Sequence, residues 1–228
     1  MYGLPRSVID HVIARQGRLH AFSELHGPRC ALVVVDMQNY FLKPGFQAEV
    51  PLARDIVAAV NAAARAMREH GGLVVWIMTA SDGADSSWSI LHRGMLSEAR
   101  SERRLADLAE GSEGYSLWPG MQALPQDLRI IKRRYSAFIQ GSSSLEQELR
   151  LRGIDTALIA GTATNVCCES TARDAMMLNF RTIMLADANA ALDNEVHVRT
   201  LANIFTYFGD VMNVAEMSGL LAATRQPA

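Results

Sequence analysis

Asp36, Lys132 and Cys167 are the side chains of this chain whose types and places could do chemistry together. Each comes at, or just beyond, the carboxyl end of an apolar run. Cys167 lies between the apolar run 156–160 and residues 167–178, where apolar side chains recur at helical spacing. A turn of mostly small residues, 161–166, joins them. Unpaired backbone N–H groups and the positive end of the helix dipole converge at such a junction. That setting favours thiolate and can lower a cysteine pKa well below its free value of about 8.5. The same N–H groups can receive an oxyanion. Asp36 would take the thiol proton and Lys132 would stabilise the thiolate, while Cys167 attacks an acyl carbon. Asp36 would then hand the proton to a leaving nitrogen and activate water for hydrolysis of the thioester. This chemistry requires no metal or other cofactor.

Each residue also has a plainer explanation. Two adjacent cysteines at a helix start can simply pack. An aspartate often caps the loop where a strand ends. Lys132 begins a basic run, 132–134, that can be surface charge. The two readings part on whether the rest of the chain brings the three residues together.

Residues 31–35, 73–78, 128–131, 156–160 and 181–186 read as strands, and 211–214 as a short last one. Helical patterns fall between them: 52–70, with Ile56, Val60, Ala63, Ala64 and Met67 on one face; 145–152, opened by a capping-box signature at 143–146; and 193–208. A terminal helix follows. Residues 81–87 read as loop and 88–109 as a broken helical pattern whose charge run, 98–104, reads as a solvated face. This alternation implies a three-layer α/β/α fold on a six-stranded, mostly parallel sheet. Parallel strands share one carboxyl edge, where such sheets place their ligands, so the three residues could meet in one crevice. Asn39, Phe41, Tyr135 and Asn165 are candidate pocket walls. Trp88 is either another wall or a core anchor. Residues 1–28 read as an extension, with a weak helical pattern at 8–14 and an extended arm at 18–22, and 29–228 as one domain.

At 228 residues, with 49% hydrophobic and 20% charged residues, the chain has the make-up of a soluble globular domain. A net charge of -2 gives no reason to expect nucleic acid or an anionic membrane as partner. No apolar run approaches the roughly 18 residues of a membrane span, and no signal-peptide core is visible. Three cysteines make no disulfide framework, so a reducing cytoplasm is expected. A nucleotide-binding module and a dithiol redox protein are disfavoured, since GxGxxG, GxxxxGK[ST] and CxxC are all absent.

Three blocks in order, VVVDMQNYF, KRRYSAF and GTATNVCCESTARDA, resemble the isochorismatase-like cysteine hydrolases over about residues 29 to 215. The resemblance places that family's Asp-Lys-Cys triad on Asp36, Lys132 and Cys167, with Cys168 as a packing residue. It also implies a cis peptide at Thr162-Ala163, an oxyanion hole from the N–H groups of Ala163 and Cys167, and a homo-oligomer, often a dimer or tetramer. Nicotinamidases of the family bind a metal through Asp-x-His beyond the second strand. Here that region offers only Asp82, Asp85 and His92. The signatures are closer to the ureidoacrylate amidohydrolases and other ureido- or carbamoyl-cleaving relatives. The expected activity is hydrolysis of a C–N bond in a small linear amide, carbamoyl or ureido compound. A vinyl-ether hydrolase using Asp36 as acid and a nicotinamidase-like amidase are the alternatives.

Overall fold

The computed structural model of the chain describes residues 2–224. Met1 and residues 225–228, the outer ends of the expected extension and domain, lie outside the described residues. The apolar runs form strands β1 (Cys30–Val35), β2 (Leu73–Thr79), β3 (Leu128–Lys132), β4 (Thr156–Thr162), β5 (Arg181–Ala190) and β6 (Asp210–Met212). They make one sheet in the order β3-β2-β1-β4-β5-β6, every pair parallel. The helices are α1 (Arg6–Gln16), α2 (Asn39–Leu42), α3 (Val57–Glu69), α4 (Ala84–Ser87), α5 (Glu98–Asp107), α6 (Leu145–Leu151), α7 (Glu169–Met177), α8 (Asn194–Asn203) and α9 (Val214–Ala223).

Side chains alternate across a strand, so the continuous apolar runs feed two cores. Leu32, Val34, Trp76 and Leu158 pack with Val60, Ala64 and Met67 of α3 and Met217 of α9. Val33, Val35, Ile77 and Ile159 pack on the other face with Leu149 of α6, Ala172 of α7, Leu201 of α8 and Val12 of α1. The fold is therefore three-layered. Helix α3 lacks a side-chain N-cap bond and is held by its apolar face. Burying a side chain such as Met67 or Val60 stabilises by about 1.5–3 kcal/mol.

The segment before β1 lies across the β6 edge. His20 Nδ1 is 3.0 Å from Asp210 Oδ1, and the Phe22 N–H donates to Asp210 Oδ2 at 3.1 Å.

Several elements depart from the pattern, each for a local reason. Residues 51–54 form a separate 3-10 turn before α3, with the Arg54 guanidinium turned back to Leu42 O and Glu49. The expected capping box of α6 does not form. The Ser143 hydroxyl is drawn to Ala137 O and accepts from Leu145 N–H, while Ser144 caps without a side-chain bond. Strand β5 runs four residues longer than expected, through a register shift opposite Ile159/Gly161 that the Asn189 amide bridges to Ile159 O and Leu185 O. Helix α8 gives way to a π-turn at Ile204–Phe208. Strand β6 stops at Met212 because Asn213 and Glu216 form a capping box that starts α9.

Candidate active site

Strand order reverses between β1 and β4, and a parallel sheet opens a crevice at the carboxyl ends of such a pair. Asp36 follows β1 with φ +56, a left-handed conformation that aspartate tolerates better than most residues. Its N–H donates to Ile77 O at 3.0 Å. Lys132, the last residue of β3, stands in register with Thr79, the last residue of β2. Both Asp36 and Lys132 are buried, at 0% and 1% exposure.

The Lys132 ammonium gathers the site around itself. Nζ lies 2.9 Å from Asp36 Oδ2, and it donates to Thr79 Oγ1 at 2.6 Å, Arg134 O at 3.1 Å and Cys167 Sγ at 3.4 Å. The Thr79 hydroxyl donates in turn to Asp36 Oδ1 at 2.8 Å. Thr79 thus bridges acid and cation, and sequence reasoning missed it. A threonine ending a β-branched strand carries no signal beyond strand propensity. Gln38, also missed as a brace, fixes the Thr79 backbone. Its amide donates to Thr79 O and accepts from Thr79 N–H, at 3.0 and 2.8 Å, and also donates to Tyr115 O.

Cys167 sits in a π-turn, Thr164–Cys168, between β4 and α7. The Val166 and Cys168 N–H groups both donate to Ala163 O. The Thr164 hydroxyl lies 2.9 Å from His197 Nδ1, which ties the turn to α8. The Thr162-Ala163 peptide is cis. Among the described residues the Ala163 N–H makes no backbone hydrogen bond. One glycine makes the approach of β4 to β1 feasible: Gly161 has φ +114, and a Cβ there would come within 2.0 Å of Val35 O.

The expectation of a depressed thiol pKa is corrected. Burial, reinforced by the Asp36 charge, pushes the Cys167 thiol up to about 12, although Lys132 pulls the other way. Desolvation and the Asp36 charge outweigh the pull of Lys132, and the resting residue is a thiol in hydrogen-bonding reach of Asp36. Burial pulls the Lys132 pKa down, but the Asp36 charge and Cys167 outweigh it and hold the ammonium above the ordinary lysine range. Cys168 packs in the core, its thiol pushed well up by burial.

The expected walls divide. Tyr135 stands edge-on to Trp88, ring centroids 4.8 Å apart, with the Arg134 guanidinium over the indole. Tyr135 also lines a small cavity with Tyr40, Gln47, Leu91 and Arg104. Asn39 donates to Glu113 O, and its buried Oδ1 has no partner among the described residues. Asn165 is exposed on the turn. Phe41 is buried in the α3-side cluster, edge-on to Tyr40 with ring centroids 5.0 Å apart. Beyond β2, His92 is buried against Ser101 Oγ, and Asp82 accepts from the Glu110 N–H. Among the described residues no three His, Cys, Asp or Glu side chains stand together to hold a metal ion, so this region does not fit the Asp-x-His pattern. No helix among them is long and apolar enough to cross a membrane.

The model of the isochorismatase domain matches residues 30–216. A cysteine hydrolase from Pseudomonas syringae pv. phaseolicola 1448A shares 28% identity and a TM-score of 0.78, over 87% of this chain and 95% of that one. N-carbamoylsarcosine amidase from Thermoplasma acidophilum is 26% identical with a TM-score of 0.62, over 82% and 96%. Pyrazinamidase of Pyrococcus horikoshii, solved in complex with zinc, is 25% identical with a TM-score of 0.69, over 82% and 99%.

Proposed function

This chain belongs to the isochorismatase family as a cysteine hydrolase, and from that premise we propose an amidohydrolase that acts through Cys167, Asp36 and Lys132. The observation that carries the reading is a single ammonium, buried at the carboxyl edge, 2.9 Å from a carboxylate and 3.4 Å from a thiol sulfur.

The resting site holds a thiol, a carboxylate and an ammonium. As an amide carbon approaches Sγ, the thiol proton passes to Asp36 and the C–S bond forms. Lys132 steadies the sulfur's charge in transit. The carbonyl oxygen, now an oxyanion, takes the N–H groups of Ala163 and Cys167. Collapse breaks the C–N bond, and the departing nitrogen takes the proton from Asp36. Water then gives a proton to Asp36 and its hydroxide attacks the thioester. The acid leaves, and the sulfur recovers its proton. Small linear amides, carbamoyl and ureido compounds suit this sequence. Likeness to an N-carbamoylsarcosine amidase supports the carbamoyl class.

Cys167→Ala tests the reading, with ammonia release measured over a panel of ureido acids, carbamates, nicotinamide and simple amides. Turnover should vanish with the fold intact. Undiminished turnover in the variant removes the thioester route.

A further inference from the structure

The Ala163 and Cys167 N–H groups can receive an oxyanion only if the segment that carries them is held still. Its backbone does this in part. The Val166 and Cys168 N–H groups both donate to Ala163 O, which closes the turn on itself. Two buried hydroxyls reach outwards instead. Thr162 Oγ1 donates at 3.1 Å to the carbonyl of Ala190, the last residue of β5, and Thr164 Oγ1 lies 2.9 Å from His197 Nδ1 on α8. Among the described residues these are the side-chain hydrogen bonds that residues 162–166 make. They clamp the chain on both sides of Ala163 to one neighbouring stretch, the end of β5 and the start of α8.

His197 is itself firmly held. It rides on the first turns of α8, which Asp193 caps by accepting from the Val196 N–H at 2.8 Å. Leu201, one turn further along the same face, is buried in the cluster that also takes in Cys167, Cys168 and Ala172. Burial keeps the imidazole pKa below the ordinary histidine range, although a hydrogen bond with the Ala186 backbone pulls the other way. A neutral ring donates from one nitrogen and accepts at the other, so it can hold the Ala186 carbonyl and the Thr164 hydroxyl together. The proton transfers proposed above run between Cys167, Asp36, water and the leaving nitrogen, and His197 takes no part in them.

We infer that His197 is a positioning residue: through the Thr164 hydroxyl it fixes the Thr164–Cys168 turn so that the Ala163 and Cys167 N–H groups meet the oxyanion. The inference rests on the hydrolase reading above. Misplacing such donors by about 1 Å can cost about 100-fold in rate, so the role is read in acyl transfer.

The test compares two reagents at Cys167. With p-nitrophenyl acetate the C–S bond forms, the ester carbonyl passes through an oxyanion, the C–O bond breaks and p-nitrophenolate leaves, while the thiol proton goes to Asp36. The readout is the burst of p-nitrophenolate that Cys167→Ala lacks. With iodoacetamide the sulfur displaces iodide and no oxyanion forms; peptide mapping locates the label. His197→Leu should slow acylation about 10-fold or more and leave alkylation within about twofold. His197→Asn, which can keep a polar atom near the place of Nδ1, should stay within about threefold of the parent with both reagents. Thr164→Val, which removes the hydroxyl at almost constant volume, should repeat the leucine result and carries the test if leucine at 197 prevents folding. The double variant should be no slower than the worse single one, because both remove the same hydrogen bond. Equal slowing of both reagents, unchanged acylation, or an asparagine variant as slow as the leucine one overturns the inference. A parent chain whose Cys167 reacts with neither reagent sinks the hydrolase reading, and the inference with it, so the parent alone tells the two failures apart.

Discussion

Thr79→Val removes one hydroxyl and almost no volume from the centre of the proposed site. Thr79 Oγ1 gives its proton to Asp36 Oδ1 at 2.8 Å and accepts from Lys132 Nζ at 2.6 Å. Hydrogen bonds to charged groups are worth about 1.5–3 kcal/mol each, and a buried partner left unsatisfied bears the desolvation cost. Lys132 keeps its Asp36 ion pair and its bond to Arg134 O, so the loss should fall below the sum, at about 2–4 kcal/mol. For a chain of 228 residues that lowers Tm by roughly 5–15 °C. Asp36 also loses the bond that fixes its second oxygen, so kcat should drop about 10- to 100-fold with KM nearly unchanged. Thr79→Ser restores the hydroxyl and should recover most of both. The assays are thermal melting and steady-state hydrolysis of the best panel substrate. A valine variant that melts and turns over like the parent refutes the bridge. One that loses stability without losing kcat leaves Thr79 a purely structural residue.

Gly161→Ala should prevent folding or cost more than about 3 kcal/mol, because the new methyl lands 2.0 Å from Val35 O at φ +114; soluble yield and melting check this. Alkaline stability should fall steeply. Burial pushes the Cys30 thiol up from 9.0 to about 11, against pulls from Thr156 and Arg181, and that of Cys167 to about 12. Folded pKa values above unfolded ones leave stability whole below pH 9.0 and remove it as pH rises through the folded values. Cys30 alone accounts for about 3 kcal/mol of that loss. Cys30→Ala should flatten urea-unfolding free energies between pH 9 and 11, and equal slopes in parent and variant would contradict the assignment.

The sheet was legible in the sequence because β1, β2 and β4 are buried on both faces and read as unbroken apolar runs. Asp36 and Lys132 stood out because a charge at the end of such a run must be paired or reach water. What stayed hidden depends on contacts across the fold. Charge spacing on α5 could not say that Arg104 turns inward while Arg103 reaches Gly45 O and Asp107. Thr79 needed the β2–β3 register before its hydroxyl could be seen between two charges. The capping-box signature at 143–146 failed because Ala137 O competes for the same hydroxyl. The Cys167 expectation erred on a balance of magnitudes: a helix start was weighed and the desolvation around it was not.

That balance also bears on the proposed role of Cys167, a thiol of so high a pKa, as the nucleophile. A value of about 12 describes loss of the proton to solvent while Asp36 stays charged, which would set two buried anions against one ammonium. The low-dielectric interior penalises that state heavily. Transfer from Cys167 to Asp36 is a different event, because the site holds one anion and one cation before and after it. Lys132, 2.9 Å from one proton acceptor and 3.4 Å from the other, faces the negative charge wherever it sits. The burial that opposes a free thiolate therefore opposes the internal transfer far less. Solvent exclusion around residues 36, 132 and 167 keeps the sulfur protonated until an electrophile arrives and leaves the route to Asp36 open.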